Sequence, residues 1–238
     1  MPQMERQDIL KVQKRNKMKI CVISDTHCKW KNLVIPECDL LISAGDYSFK
    51  GESWVVKDFH KWLNKQPAKH IISVQGNHEK WVESNFQLAK EIAEQACPGV
   101  HFIDEGLVEI DGVKIWCSAI SSWFCNWAWN RYPGEELQKH WDKIPNDGSI
   151  DIVVTHGPCY GILDGVVKYN TKICEYELEH CGDKQLLDKI LEVKPKFHIC
   201  GHIHEGFGIH EQDGIQFINA SICDEHYKPI NPVTIITI

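Results

Sequence analysis

Asp25 and His27 stand two residues apart at the end of an apolar run, Met18 to His27, and His202 and His204 repeat that spacing at the end of another. Side chains two apart on an extended chain project to one side, so each pair can address a single ion. Three other apolar runs close in the same manner, at Gly45-Asp46, Gly76-Asn77-His78-Glu79 and His156-Gly157. A lone Asp-x-His triplet is more often surface decoration than a ligand pair. Five strand ends bearing oxygen and nitrogen donors are a different matter, because open α/β sheets bind ligands at that edge. The spacing reads as a dinuclear metal centre. Its donors include no thiolate, which suits manganese, iron, zinc, magnesium or nickel rather than copper(I).

The elements that must carry these donors follow from hydrophobic periodicity. Asp39 to Ala44 and Lys69 to Gln75 read as buried strands, separated by an amphipathic helix over Glu52 to Gln66. On that helix Trp54, Val55, Phe59, Trp62 and Leu63 are expected in the core and His60 on the surface. A second helix is expected from about Ser84 to Ala96. From His101 the alternation yields to short strands, His101 to Ile103, Leu107 to Ile110 and Val113 to Ala119, which read as the start of a second sheet. Ser121 to Asn146, rich in Trp, reads as an inserted loop with a short helix near Glu135 to Lys143. Asp151 to Thr155 is a strand, Cys159 to Cys181 is expected to be irregular, and Asp183 to Val193 is a helix. Phe197 to Cys200, Gly208 to His210, Ile215 to Ile218 and Val233 to Ile238 complete the strands.

At 238 residues, 43% hydrophobic and 25% charged, the chain suits one large domain over 18–238. Met1 to Lys17 is a basic tail with little to bury. No apolar run approaches the length of a membrane span, so no membrane partner is expected. The tail lacks the apolar centre of an export signal, and a cytoplasmic location is the expectation. The eleven cysteines, an odd number with no Cys-x-x-Cys pair, read as reduced thiols outside the chemistry. A net charge of -7 argues against a nucleic-acid polymer as partner. Nothing in the composition indicates an oligomeric state.

Taken in order, Asp-x-His, Gly-Asp, Gly-Asn-His-Glu, His-Gly and Gly-His-x-His resemble the signature of the calcineurin-like metallophosphoesterases, over residues 19 to about 205. Gly201 to Gly208, with Asn219-Ala220-Ser221, is similar to the small metallophosphoesterase-domain proteins, a cyclic-nucleotide-phosphodiesterase-like branch. The resemblance implies a four-layer αββα sandwich of two mixed sheets flanked by helices. It implies that Asp25, His27 and His204 hold one ion and Asn77, His156 and His202 the other. Asp46 is then the bridge and His78 the free catalytic imidazole. Two divalent ions are expected, manganese first. Cations about 3.5 to 4 Å apart can hold an attacking hydroxide and polarise phosphoryl oxygens, while His78 serves the leaving group.

Tyr47-Ser48-Phe49 replaces the Asp-Arg-Gly continuation of protein phosphatases, and Phe49 stands where purple acid phosphatases place a ligand Tyr. A small phosphodiester, cyclic mononucleotides first, is therefore the expected substrate. Nuclease or phosphomonoesterase activity and a non-catalytic protein-binding scaffold are the alternatives. Trp123, Trp127, Tyr160 and Phe207 are candidate substrate contacts, with Trp129 as a further loop aromatic. Glu79 is expected either to orient His78 or to form a local ion pair.

Overall fold

The computed structural model describes residues 17–171 and 174–238; the tail expected over Met1 to Lys17 lies outside them apart from Lys17. The first sheet is assembled from β1 (Lys19–Ile23), β2 (Cys38–Ala44), β3 (Ala68–Val74) and β4 (His101–Ile103), all parallel. Ile20, Cys21, Val22, Leu40, Leu41, Ile42, Ile72 and Val74 are fully buried, the continuous apolar pattern of strands covered on both faces. Helix α1 (Ser53–Leu63) turns Val55, Val56, Phe59 and Leu63 inward. It packs beside α3 (Phe86–Ala96), which is separated from α2 (Lys80–Ser84) by Asn85. The helix expected from Ser84 therefore starts later and is preceded by a separate turn of helix.

The second sheet begins at β5 (Glu105–Ile110), not at His101, because β4 pairs with β3 through Ile72 and His101. It continues through β6 (Val113–Ser118). A small pair, β7 (Ser121–Ser122) and β8 (Asn130–Arg131), and α4 (Glu135–Trp141) precede β9 (Ile152–Thr155). The stretch expected to be irregular instead contains an antiparallel hairpin, β10 (Gly165–Asn170) with β11 (Glu175–His180). The alternation of Glu175-Tyr176-Glu177-Leu178-Glu179 is itself a strand signal, so the expectation fails against a pattern present in the sequence. Helix α5 (Lys184–Val193), capped by Asp183 through the N–H groups of Gln185 and Leu186, leads to β12 (Phe197–Cys200). Then follow β13 (Gly208–Gln212), β14 (Ile215–Asn219) and β15 (Thr234–Thr237).

The second sheet runs β13-β14-β12-β9-β6-β5 and the first β15-β1-β2-β3-β4, with β15 antiparallel to β1. Helix α1 packs beside α3, which touches β4 of the first sheet, and α4 packs beside α5. The result is the four-layer αββα arrangement. No helix among the described residues is long and apolar enough to cross a membrane.

Two expectations for α1 fail. Trp54 is 65% exposed, on the face away from the sheet. His60 is fully buried, its Nδ1 2.7 Å from the Val56 carbonyl and its Nε2 3.2 Å from Ser73 Oγ, so it is a core histidine satisfied by hydrogen bonds.

One backbone join decides where the site lies. Beyond β1, Ser24 donates its N–H to Ala220 O at 2.9 Å and accepts from Ile222 N at 2.8 Å. That bridge ties the C-terminal end of β1 in one sheet to the segment after β14 in the other, so both sets of parallel strand ends open on one cleft.

Candidate metal centre

The strand ends reach the cleft through left-handed turns. Asp25, His27, Asp46 and His202 have φ of 50°, 39°, 51° and 69°. Asp and His tolerate this region better than bulky or branched residues, yet each such residue costs about 1 kcal/mol or more. Asp25 and His27 therefore do not converge by strand alternation, as their spacing suggested. They converge because the chain has left the extended region, held by Asp25 N to Gly45 O at 3.0 Å and His27 N to Asp46 O at 3.1 Å. Close approach also explains two glycines of the motif. A Cβ on Gly76 would collide with Asp46 Oδ1, and one on Gly201 with Asp25 Oδ2.

The seven expected ligands come together in two groups. Asp25 Oδ1 lies 3.4 Å from His204 Nε2 and 4.0 Å from His27 Nε2, which is itself 3.2 Å from His204 Nε2. In the second group His156 Nε2 is 3.3 Å from Asp46 Oδ2 and 2.8 Å from Asn77 Oδ1, with His202 alongside. Asp46 Oδ2 also lies 4.0 Å from His27 Nε2 and 3.9 Å from His78 Nε2, between the groups. His78 thus stands near enough to His27 and Asp46 to form a third possible ligand set.

Hydrogen bonds fix how these rings face. Carbonyl oxygens only accept, so Nδ1–H of His27, His156 and His204 must donate to Ser48 O (3.1 Å), Ala44 O (2.9 Å) and Asp224 O (2.7 Å). Every Nε2 lone pair is then turned inward, the orientation that backbone partners impose on metal-binding histidines. It leaves acceptor against acceptor: His27 Nε2 faces His204 Nε2, and His156 Nε2 faces Asn77 Oδ1. Asp25 Oδ1, fully buried, has no partner among the described residues unless His204 Nε2, 3.4 Å away, carries a proton. Between His27 and His204 and at Asp25 a shared proton or a cation relieves such contacts, and the donor set fits divalent ions.

The charges agree. Burial is the largest influence on each of these groups. It holds the His27 and His202 imidazoles down to about 4. At His156 and His204 it is outweighed by Asp46 and Asp25, which lift the rings to about 10 and about 9. The same pairs keep Asp25 and Asp46 well below the usual carboxylate range against the effect of burial, with His204 foremost at Asp25 and His156 at Asp46. These protons sit where cations would take their place.

Residues outside the expected ligand set hold this geometry. Glu79, fully buried, accepts from Asp46 N (2.9 Å), Gly76 N (2.8 Å), Ser48 N (3.1 Å) and Ser48 Oγ (2.7 Å). Among the described residues it neither bonds His78 nor forms an ion pair; it clamps the turn after β2 to the turn after β3. Burial, and then the Asp46 charge, push its carboxyl upward. Asp25 Oδ2 is oriented by His202 N (2.9 Å) and Ser221 Oγ (2.9 Å). Asn219 supports the final turn by donating to Ile203 O at 2.7 Å.

The model of the calcineurin-like phosphoesterase family matches residues 18–206. The chain belongs to the calcineurin-like phosphoesterases. Metallophosphoesterase domain-containing protein 1 of Homo sapiens is 32% identical, over 91% of this chain and 69% of that protein. A UPF0046 protein of Caenorhabditis elegans is 28% identical, covering 87% of this chain and 71% of its own length. Among solved structures, the phosphopantetheinyl hydrolase of Mycobacterium tuberculosis shares the fold. Its TM-score is 0.59 at 15% identity, covering 92% of this chain and 95% of that one. The family binds divalent metals and cleaves phosphoesters, which is the chemistry that the facing acceptors accommodate.

In this phosphoesterase the centre opens into a cavity of about 510 Å³. Trp123, Phe124 and Trp127 line it together with Val166, Lys168 and Glu179 of the hairpin. Lys168 is paired with Glu179. Glu205, Glu225 and Tyr227 also line it. Of the expected substrate contacts, Trp123 and Trp127 are in the lining. Tyr160 and Phe207 are not; Tyr160 instead lies under Lys184 Nζ, 4.5 Å from its ring centre. Trp129 is buried. Glu79 and Asn219 lie within or beside signature blocks, but no spacing signal pointed to Tyr227.

Proposed function

We propose that this chain is a dinuclear-metal-dependent phosphodiesterase of the cytoplasm that hydrolyses small phosphodiesters, cyclic mononucleotides first. The observation that carries the reading is the set of buried acceptors facing one another, Asp25 Oδ1, the paired Nε2 atoms and Asn77 Oδ1, of which Asn77 and His204 also line a cavity with aromatic side chains. Its volume of about 510 Å³ lies within the usual small-molecule range of about 300 to 1,000 Å³. Among the described residues the one lysine in the lining, Lys168, is already paired, which favours a substrate with one phosphate over a polyphosphate. An indole face such as that of Trp123 suits a planar base.

Asp25, His27 and His204 would hold one ion and Asn77, His156 and His202 the other, with Asp46 between them. Such ions, manganese first, supply charge neutralisation and lower the pKa of the attacking water. The protein's part is to fix the ester and move one proton. His78 donates Nδ1–H to Phe49 O at 3.2 Å, which leaves Nε2 directed at the centre, 3.9 Å from Asp46 Oδ2. As an imidazolium it gives the Nε2 proton to the leaving alkoxide oxygen.

The test is hydrolysis of bis-nitrophenyl phosphate by the manganese-loaded protein. It is followed by kcat/KM for 2′,3′- and 3′,5′-cyclic mononucleotides, single-stranded DNA, a phosphomonoester and a phosphopeptide under one condition. The reading expects cyclic mononucleotides fastest and no turnover with chelator. A polymer or monoester turning over fastest replaces it with the nuclease or phosphomonoesterase reading. Absence of any turnover leaves the protein-binding scaffold.

A further inference from the structure

The segment after β14 returns across the mouth of the cleft and brings a phenol to the centre. The Tyr227 ring stands 4.7 Å from the His27 imidazole and 5.5 Å from that of His204, edge-on to both at 88° and 90°. Phe49 backs it at 5.5 Å. Tyr227 lines the cavity together with Asp46, Asn77, His78 and His204, and it is 40% exposed. Its hydroxyl has no hydrogen-bond partner among the described residues.

The local chain is built to keep it there. Asp224 Oδ1 accepts from His226 N at 2.9 Å and Lys228 N at 2.8 Å, while Tyr227 N donates to Asp224 O at 2.9 Å. This turn sets Tyr227 at φ 58°, a region that disfavours a bulky aromatic residue. The same Asp224 carbonyl receives His204 Nδ1–H, so one turn positions both the candidate ligand and the phenol beside it. A disfavoured conformation stabilised from several sides, at a cleft, points to a role for the side chain.

We propose that Tyr227 is a substrate-contacting residue whose hydroxyl donates a hydrogen bond to a non-bridging phosphoryl oxygen of the bound ester. The assignment rests on the phosphodiesterase reading above. A neutral donor suits this position, since Glu205 and Glu225, which also line the mouth, repel an anion and Lys168 is held by Glu179. The contact is to the phosphoryl group, so it is indifferent to the base and the leaving group.

The experiment compares the manganese-loaded parent with Tyr227→Phe, which keeps the ring packing and the turn and removes only the hydroxyl. Inorganic phosphate is titrated by calorimetry, and kcat/KM is measured on bis-nitrophenyl phosphate and on a cyclic mononucleotide. Losing one hydrogen bond to a charged group weakens phosphate binding about ten-fold or more. The two kcat/KM values fall by a similar factor, with metal content and Tm unchanged. Equal phosphate affinity in parent and variant overturns the proposal. So does a variant that loses metal, which makes the phenol a ligand, or a loaded parent that binds no phosphate. A parent that binds phosphate but cleaves no diester defeats the phosphodiesterase reading alone, and the phosphate titration still decides the role of Tyr227.

Discussion

The His78 imidazole lies against the Trp127 indole, ring centres 4.3 Å apart and planes inclined by 31°. Lys80 Nζ stands over the same indole at 5.3 Å and donates to Asn126 O at 3.0 Å, holding the loop that presents it. Trp127 thus fixes the plane of the proposed proton donor as well as lining the cavity. Trp127→Leu is expected to lower kcat on a nucleoside ester about ten-fold or more, toward the lower end of what a positioned acid contributes. Metal content should stay unchanged and Trp127→Phe should recover most of the loss. If Trp127→Leu raises KM alone, the indole serves the substrate and not His78.

His78→Ala should retain both ions and lose turnover by about 10² to 10⁴ on a nucleoside alkoxide leaving group. On a nitrophenolate, which leaves without protonation, the loss should be much smaller. His27, Asp46 and His78 also lie close enough to hold an ion. Metal analysis separates the roles: a variant short of one ion makes His78 a ligand.

Asp46 Oδ2 lies within 4.0 Å of nitrogens belonging to both groups. Asp46→Asn should therefore disturb both ions and cost more than the roughly 10- to 100-fold typical of a residue outside the coordination sphere. Asp25→Asn should disturb only the His27 and His204 side. Elemental analysis with activity after chelation and manganese readdition checks this. Full metal occupancy in Asp46→Asn would remove the bridging role.

Glu79→Gln turns an amide N–H₂ toward N–H donors that the carboxylate now satisfies. A stability loss of about 1 to 3 kcal/mol is expected. In a chain of this size that lowers Tm by about 2 to 12 °C. Thermal unfolding of the metal-free protein isolates the effect, and an unchanged Tm would mean that the clamp contributes nothing.

Burial holds His60 down to about 4 and His198 down to about 3, against an ordinary 6.5. Both are neutral in the fold below pH 6.5, while the unfolded chain takes up their protons there. Stability contributed by this difference is present above pH 6.5 and is lost as pH falls toward 4 and then 3. Urea midpoints between pH 7.5 and 4.5 should fall with acid. His60→Gln should flatten that slope, and an identical slope in the variant would assign the acid sensitivity elsewhere.

The chemistry was legible in the sequence because ligand types are local. An apolar run followed at once by Asp, His or Asn is a property of a few consecutive residues, and five such runs in order carried both the family and the strand-helix alternation. What escaped the sequence depended on partners distant along the chain. His60 falls on a helix with apolar neighbours, and its bonds to Val56 O on the same helix and to Ser73 on β3 together show why a polar ring can be buried there. The hairpin Gly165–Asn170 with Glu175–His180 shows its alternation in Glu175 to Glu179, but its register is set only by pairing across the two strands. Glu79 sits inside a recognised block, yet three of its four donors, Asp46 N, Ser48 N and Ser48 Oγ, come from the turn after β2 folded onto it.

The sequence by itself determined which donors are available and that strands deliver them. The tertiary structure decided how they face one another. Left-handed turns at Asp25, His27, Asp46 and His202 re-aim side chains that an extended strand would have directed elsewhere. The bridge from Ser24 to Ser221 joins the ends of two sheets. It places Tyr227, about 200 residues along the chain from His27, against the His27 ring. Short-range spacing carries no signal for that contact, because it exists only once both sheets have packed.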